Sequence, residues 1–311
     1  MKRITRLAAL GAAAALALTA CGGNSDNKNS NPLTGGNKSG AAGGTITVGS
    51  ANFPESAALA EIYSQALEAK GFKVTRKFNI GAREIYYNQV VSGGIDVIPE
   101  YNGALLTTSV DKTSTAVTAD DVNAALTAKL PSAVGILQSS KAEDKDSITV
   151  NAQTASKYNL KSISDLKAVA AQLTIGGPSE FKTRAQGLVG LKSKYGVVFK
   201  KFQPVDAGAQ SSLESLLSKN DIQAADIFTT DPTIATNKFV ILDDPLHLFA
   251  AQNVTPLIYK PAVNAQAQAA LNAVSAKLTT EDLQKILQQI TVDKKGQETV
   301  AKSWLSQAGL G

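Results

Sequence analysis

The sequence predicts an α/β protein of two comparable lobes with a cleft between them. Its 311 residues suffice for two domains or one large bilobal unit with a packed core. Short β-branched runs alternate with helical periodicities, the order of a parallel sheet covered by helices. That order occurs twice, with strand-to-helix turns at matching places.

The chain opens on a targeting segment. Lys2, Arg3 and Arg6 precede an apolar run from Leu7 to Ala17, closed by Leu18-Thr19-Ala20-Cys21. Such a run is too short to cross a bilayer core of ~30 Å, so residues 1–20 are expected to be a secretory signal. Residues 21–43 are dominated by Gly, Asn and Ser with a single Leu. With no apolar period they form an expected flexible tether, with an r.m.s. reach of roughly 25 Å.

Thr45 to Gly49 reads as the first strand of the body. Pro54 and Glu55 follow in positions favoured in a first helical turn, and Ala58, Leu59, Ile62, Ala66 and Leu67 recur at helical spacing up to Gly71. Lys73 to Phe78 alternates like a strand, Glu84 to Val91 is helical, and Ile95 to Ile98 is a third strand. The second unit repeats this with a strand over Phe199 to Val205, a helix over Ala209 to Leu217 and a strand over Ala224 to Phe228. Near the C-terminus, Thr279-Thr280-Glu281-Asp282 is a capping box opening a helix through Ile290, and Val300 to Leu305 is helical too.

Composition narrows the chemistry. The chain is 43 % hydrophobic and 18 % charged, as a globular protein is. One Cys and one His exclude an internal disulfide, a multi-thiolate zinc site and a multi-His metal centre. A net charge of +5 is modest, three of its bases lie in the leader, and no basic recognition helix points to nucleic acid. The sequence has no Gly-x-Ser-x-Gly elbow, no phosphate loop and no dinucleotide fingerprint. His247 lies in a loop-like stretch. The inventory favours binding without catalysis, and it implies no cofactor and no metal.

Three turns have the stereochemistry of a ligand site. Ser50-Ala51-Asn52-Phe53 leads into a helix N-terminus. Pro99-Glu100-Tyr101-Asn102-Gly103 is placed just past the third strand, where open α/β sheets bind ligands. Thr229-Thr230-Asp231-Pro232 has the equivalent place in the second unit, with Pro232 suited to a first helical position. Capping alone would also favour these residue types.

Gly49-Ser-Ala-Asn-Phe-Pro-Glu55, Gly81-Ala-Arg-Glu84, Ile95-Asp-Val-Ile-Pro-Glu-Tyr-Asn-Gly103, Pro178-Ser-Glu-Phe-Lys-Thr-Arg184 and Phe228-Thr-Thr-Asp231 together resemble a known family. They are similar to the substrate-binding proteins of ABC transporters for osmoprotectants, the glycine betaine, carnitine and choline binders. The similarity runs from about Thr45 to the C-terminus. It implies a bilobal, periplasmic-binding-protein-like fold of type II, hinged and closing on its ligand. Residues 44–145 with 250–311 would make lobe one, and 146–249 lobe two. The sequence before Cys21 resembles a lipobox, which implies a lipid-anchored, extracytoplasmic protein acylated at Cys21.

In that family an aromatic cage surrounds the quaternary ammonium and an Arg takes the carboxylate. A trimethylammonium has no N–H to donate, so aromatic faces replace its hydration at roughly 0.5–2 kcal/mol each. A guanidinium fork matches a carboxylate. The resemblance assigns Tyr101 to the cage, Arg184 to the carboxylate and Thr229 and Thr230 to the second-lobe loop. The expected binding set is Asn52, Phe53, Tyr101, Asn102, Phe181, Arg184, Phe228, Thr229, Thr230 and Asp231. Simpler roles exist: Phe181 and Phe228 as core, Phe53 as a hydrophobic staple, Tyr86 as helix packing, and Arg184 as an i,i+4 partner of Glu180.

The departures are specific. Ala51 stands where betaine binders carry Lys. No aromatic occurs around Asp146-Ser147-Ile148, where another cage Tyr is expected, and Phe249 is a Phe near a further cage position. The expected partners are a small molecule, a permease and, through it, ATPase subunits, with the protein a monomer. The alternatives are the same fold with an amphipathic or aromatic metabolite, or a sensory or adhesive lipoprotein without a transport role.

Overall fold

The computed structural model describes residues 44–311. The expected leader, tether and Cys21 lie outside the described residues. In chain order the first stretch comprises β1 (Thr45–Gly49), α1 (Pro54–Glu68), β2 (Lys73–Lys77), α2 (Arg83–Val91), β3 (Val97–Tyr101), α3 (Asn102–Leu105), α4 (Ala119–Lys129) and β4 (Val134–Ile136). The middle holds β5 (Asp146–Val150), α5 (Ala152–Tyr158), β6 (Thr174–Gly177), α6 (Leu188–Tyr195), β7 (Lys201–Pro204), α7 (Gln210–Ser218), β8 (Ala224–Phe228), α8 (Thr233–Thr236) and β9 (Val240–Ile241). The chain ends with β10 (Val254–Tyr259), α9 (Ala265–Lys277), α10 (Thr280–Leu287) and α11 (Gln297–Gln307).

Two five-stranded sheets result, with orders β2-β1-β3-β10-β4 and β7-β6-β8-β5-β9. The orders superimpose element for element, so the internal repeat hinted at by the sequence is a shared topology. The sheets are mixed rather than parallel. β2 and β3 run parallel to β1, but β10 is antiparallel to β3 and β4. β6 is parallel to β7 and β8, whereas β5 is antiparallel to β8 and β9. In each sheet the reversed strand is the one the chain enters on arriving from the other sheet.

β3 also differs from expectation. It runs through Pro99, Glu100 and Tyr101, all buried, rather than stopping at Ile98. The ladder tolerates this proline because Pro99 and Pro256 of β10 form a non-hydrogen-bonded pair. The Pro256 carbonyl accepts from Leu137 N–H at 2.9 Å on the side away from β3, so neither missing N–H interrupts the β3–β10 bonds.

α1 begins with Pro54 at its first position and is buried on most of its surface. It packs Leu59, Ile62, Tyr63 and Leu67 into a core shared with β1, α9 and α11. The capping box at Thr279 and Asp282 forms as expected and opens α10. Pro232 precedes α8 as its cap rather than its first residue, while the Asp231 side chain accepts from the Thr233 N–H at 2.8 Å.

The two passages between sheets, 137–145 and 242–253, meet as a short antiparallel ribbon. Glu143 bridges Asn253. Ser140 N–H donates to the Val254 carbonyl at 2.8 Å and Val254 N–H to that of Ala142 at 3.0 Å. Gly103 packs beneath this ribbon. A Cβ there would lie 2.2 Å from the Ala251 carbonyl oxygen, so the close approach admits no side chain.

Candidate functional site

A cleft between the sheets is lined by Phe53, Tyr101 and Phe228, with Arg83, Asp144, Asp146, Glu180 and Arg184 among its polar groups. Three strand ends place these residues: the turn after β1, the end of β3 and the end of β8. The Phe53 ring stands centrally, 6.0 Å from Tyr101 and 5.3 Å from Phe228 between centroids. Tyr101 and Phe53 come from the first sheet's side and Phe228 from the second's, so this aromatic wall spans both lobes.

Behind the wall lies a buried polar cluster. Tyr101 donates its hydroxyl to Glu55 Oε1 at 2.6 Å, and Thr230 donates to Oε2 at 2.8 Å. Glu55 begins α1 and Thr230 follows β8, so the carboxylate joins the lobes. Burial raises the Glu55 carboxyl while the two hydroxyls restrain it. Asp144 accepts from Thr230 N–H at 3.1 Å. It is pushed well above the usual carboxylate range by burial and then by the charge of Glu55.

Both arginines of the cleft are paired within the protein. Arg83 donates to Glu100 through Nε at 2.9 Å and Nη2 at 2.9 Å, and both residues are buried. Burial would depress that guanidinium, but the charge of Glu100 offsets it and the net shift is upward. Tyr86 donates to the same Glu100 at 2.7 Å. Arg184 reaches across the cleft and makes a two-point contact with Glu84, Nε to Oε1 and Nη2 to Oε2, both at 3.0 Å. Glu180 stands 3.7 Å from the same guanidinium. Burial works to raise Glu84, but the hydrogen bonds and charge of Arg184 overcome it, leaving it below its ordinary value.

Asp146 adds acidity where the resemblance expects an aromatic ring. Its Oδ2 accepts from the Gln186 and Gln252 amides at 2.7 and 3.0 Å. Two buried oxygens near the cleft, Asn52 Oδ1 and Asp226 Oδ1, have no hydrogen-bond partner. Among the described residues no cluster of His, Cys, Asp and Glu is arranged to hold a metal.

The expected binding residues separate into groups. Asn52, Phe53, Tyr101, Arg184 and Phe228 line the cleft. Thr230 supports it from behind through Glu55. Asp231 caps α8, accepts from Gln210 at 2.8 Å and faces a second cavity of ≈ 280 Å³ on the other side of Phe228. Thr229 sits beside the passage 137–145 between the sheets, where its hydroxyl oxygen accepts from Lys145 N–H at 3.0 Å. Asn102 is fully buried and its amide is spent inside the fold, on Asn123 at 2.9 Å and the Asn253 N–H at 2.8 Å. Phe181 is buried in the second lobe, 6.4 Å from Phe202. Phe249 is likewise buried in that core.

Residues 44–307 match the family of the substrate binding domain of ABC-type glycine betaine transport systems. Over 258 residues the chain is 26% identical to an ergothioneine transport permease/ergothioneine binding protein of Helicobacter pylori, covering 81% of this chain and 45% of that protein. It is 25% identical over 280 residues to a glycine betaine-binding protein of Escherichia coli, covering 86% and 92%. The chain thus spans less than half of the first relative and nearly all of the second. Among solved structures, a glycine betaine/carnitine/choline ABC transporter protein shares the fold with a TM-score of 0.66 at 20% identity, over 85% of this chain and 99% of that one. With the paired sheets, the cleft and this match over most of its length, the chain belongs to the family of substrate-binding domains of ABC-type glycine betaine transport systems.

Proposed function

We propose that the protein is an extracytoplasmic receptor that captures a small quaternary-ammonium osmoprotectant and delivers it to an ABC importer. It would be lipid-anchored through Cys21 and act as a monomer, with ATP hydrolysis left to partner subunits. Lobe one would comprise 44–145 and 250–311, lobe two 146–249. Closure would pivot on the ribbon of 140–144 and 252–254, because a ligand touching Phe53 and Tyr101 on one side and Phe228 on the other favours the closed state.

The observation that carries this reading is an aromatic wall in an acidic cleft whose arginines are already paired. Arg83 is committed to Glu100, and Arg184 to Glu84 and Glu180. Asp146 then adds a carboxylate served only by neutral amide donors. Such a site favours a cation with π-faces around it over a zwitterion that also brings a carboxylate. Isothermal titration with choline and glycine betaine tests this, and choline is expected to bind at least tenfold more tightly. Tighter binding of the betaine would overturn the preference for a simple cation. No binding of either would overturn the osmoprotectant reading itself.

A further inference from the structure

Beside the cleft, past Phe228, lies a recess of ≈ 20 Å³ bounded by Pro178, Val205, Ala207, Leu213 and Asp226. Pro178, Ala207 and Phe228 belong to both spaces, so the recess extends the cleft into lobe two. A volume of this size, in the measure where a water needs ~10–15 Å³, holds one small polar group. Of the other polar groups in its wall, Gln210 donates to Asp231 at 2.8 Å and Asp206 accepts from Gly208 N–H at 2.8 Å, whereas Asp226 is 7% exposed and its Oδ1 meets no donor. Proteins pair nearly all such oxygens, so an unpaired one calls for an explanation outside the fold.

The fold itself offers Asp226 little. Its charged neighbours are the carboxylates of Asp146 and Glu180, which oppose it, and the guanidinium of Arg184, which favours it. Arg184 is already shared between Glu84 and Glu180. Burial, followed by the charge of Asp146, pushes the Asp226 carboxyl well above its usual range. A buried carboxyl on β8, one alternation from the cage residue Phe228, therefore has free hydrogen-bonding capacity next to the ligand space.

Building on the receptor reading above, we infer that Asp226 is a specificity-determining residue that accepts a hydrogen bond from a hydroxyl or N–H carried by the quaternary-ammonium ligand. The ligand is then bifunctional: the trimethylammonium rests against Phe53, Tyr101 and Phe228, and a donor group enters the recess. A quaternary ammonium of equal size with a methyl in place of that donor leaves the buried oxygen unmatched. Sites built around a ligand hydroxyl discriminate in this way far better than apolar pockets do.

The test compares choline with trimethylpropylammonium, which replaces the hydroxyl by a methyl at the same chain length. In the wild-type protein choline should bind at least tenfold more tightly by isothermal titration. In Asp226→Ala that ratio should collapse toward one, and the melting temperature of the variant without ligand should equal or exceed that of the wild type. Equal wild-type affinities for the two cations overturn the inference and leave the receptor reading intact. A ratio that survives Asp226→Ala does the same, as does a ligand-free variant that melts well below wild type. If Asp226→Ala does not fold, the wild-type ratio alone decides. Failure of the wild type to bind either cation removes the receptor reading and this inference together.

Discussion

Replacing Glu84 by Ala should shift the ligand preference toward carboxylate-bearing compounds. Arg184 faces the cleft with a fork already filled by Glu84, at 3.0 Å through each of two nitrogens. A betaine carboxylate entering the cleft must displace that partner, and the exchange gains little. With Glu84 removed, the fork has only Glu180 at 3.7 Å, and an incoming carboxylate makes a new charge-assisted pair. A buried pair of this kind is worth about 1.5–3 kcal/mol and an exposed one near zero. The Glu84 side chain is 47% exposed and that of Arg184 13%, which places the gain near 1 kcal/mol, or about fivefold in affinity. Loss of a negative charge from the cleft also weakens choline slightly, so both effects move the betaine-to-choline ratio the same way. Titration of both ligands into wild type and Glu84→Ala at ~0.1 M salt measures that ratio, and added salt should shrink the change. Glu84 also sits in the first turn of α2, so stability should fall by no more than about 1 kcal/mol. A ratio that stays constant, or moves toward choline, would refute the assignment of Glu84 as competitor for the Arg184 fork.

Other outcomes follow from the same geometry. Phe53→Ala removes the central ring, and affinity for any quaternary ammonium should drop about 5- to 30-fold, from ~1–2 kcal/mol of lost cation–π attraction; an unchanged titration would place the cation elsewhere. Tyr101→Phe keeps the ring but leaves Glu55 Oε1 without its donor, costing about 1–3 kcal/mol and lowering the melting temperature by several degrees. An unaltered melting temperature would contradict that bond. Acidification should stabilise the protein. Burial and the adjoining Asp231 push Glu214 up to about 8, so in the native state it keeps a proton that the unfolded chain releases near its ordinary 4.5. This contribution is complete below about pH 4.5 and is lost as pH rises through about 8. Asp144 and Asp226 are raised too and act in the same direction, whereas Glu84 is lowered and loses its contribution at low pH. The melting temperature should therefore fall from pH 5 to pH 8.5, less steeply in Glu214→Gln; equal slopes would exclude Glu214 as a source.

Local pattern carried lobe one as far as β3 and the later part of lobe two from β7 to β8, but not β5, α5, β6 or α6. β1 and β8 fall where β-branched and apolar runs put them, and α1 opens at its proline. The strands missed are those whose signal comes from tertiary contact. β6 ends in Gly176-Gly177, and a Cβ on Gly176 would lie 2.6 Å from both Leu213 and Ile222; helix packing selects glycine where strand propensity would not. β10 contains Pro256, acceptable because its nitrogen faces away from β3 and lies just past the last paired residue of β4. The site follows the same division. Phe53, Tyr101 and Phe228 sit at strand ends and were legible as such. Glu84 was in view within its motif, yet its partner lies 100 residues away. Thr230 meets Glu55 across 175 residues, and Asp226 looks like an ordinary strand residue until its missing partner is seen. Asn102 resembles a site residue because it follows the Pro-Glu-Tyr run, but its amide is needed to fasten the end of β3 to the ribbon between the sheets.

The most direct test is a crystal structure of the protein grown with choline. The trimethylammonium should lie among Phe53, Tyr101 and Phe228, with its nitrogen within ~6 Å of the ring centroids. A cation bound instead in the second cavity, beside Glu214 and Asp231, would contradict it.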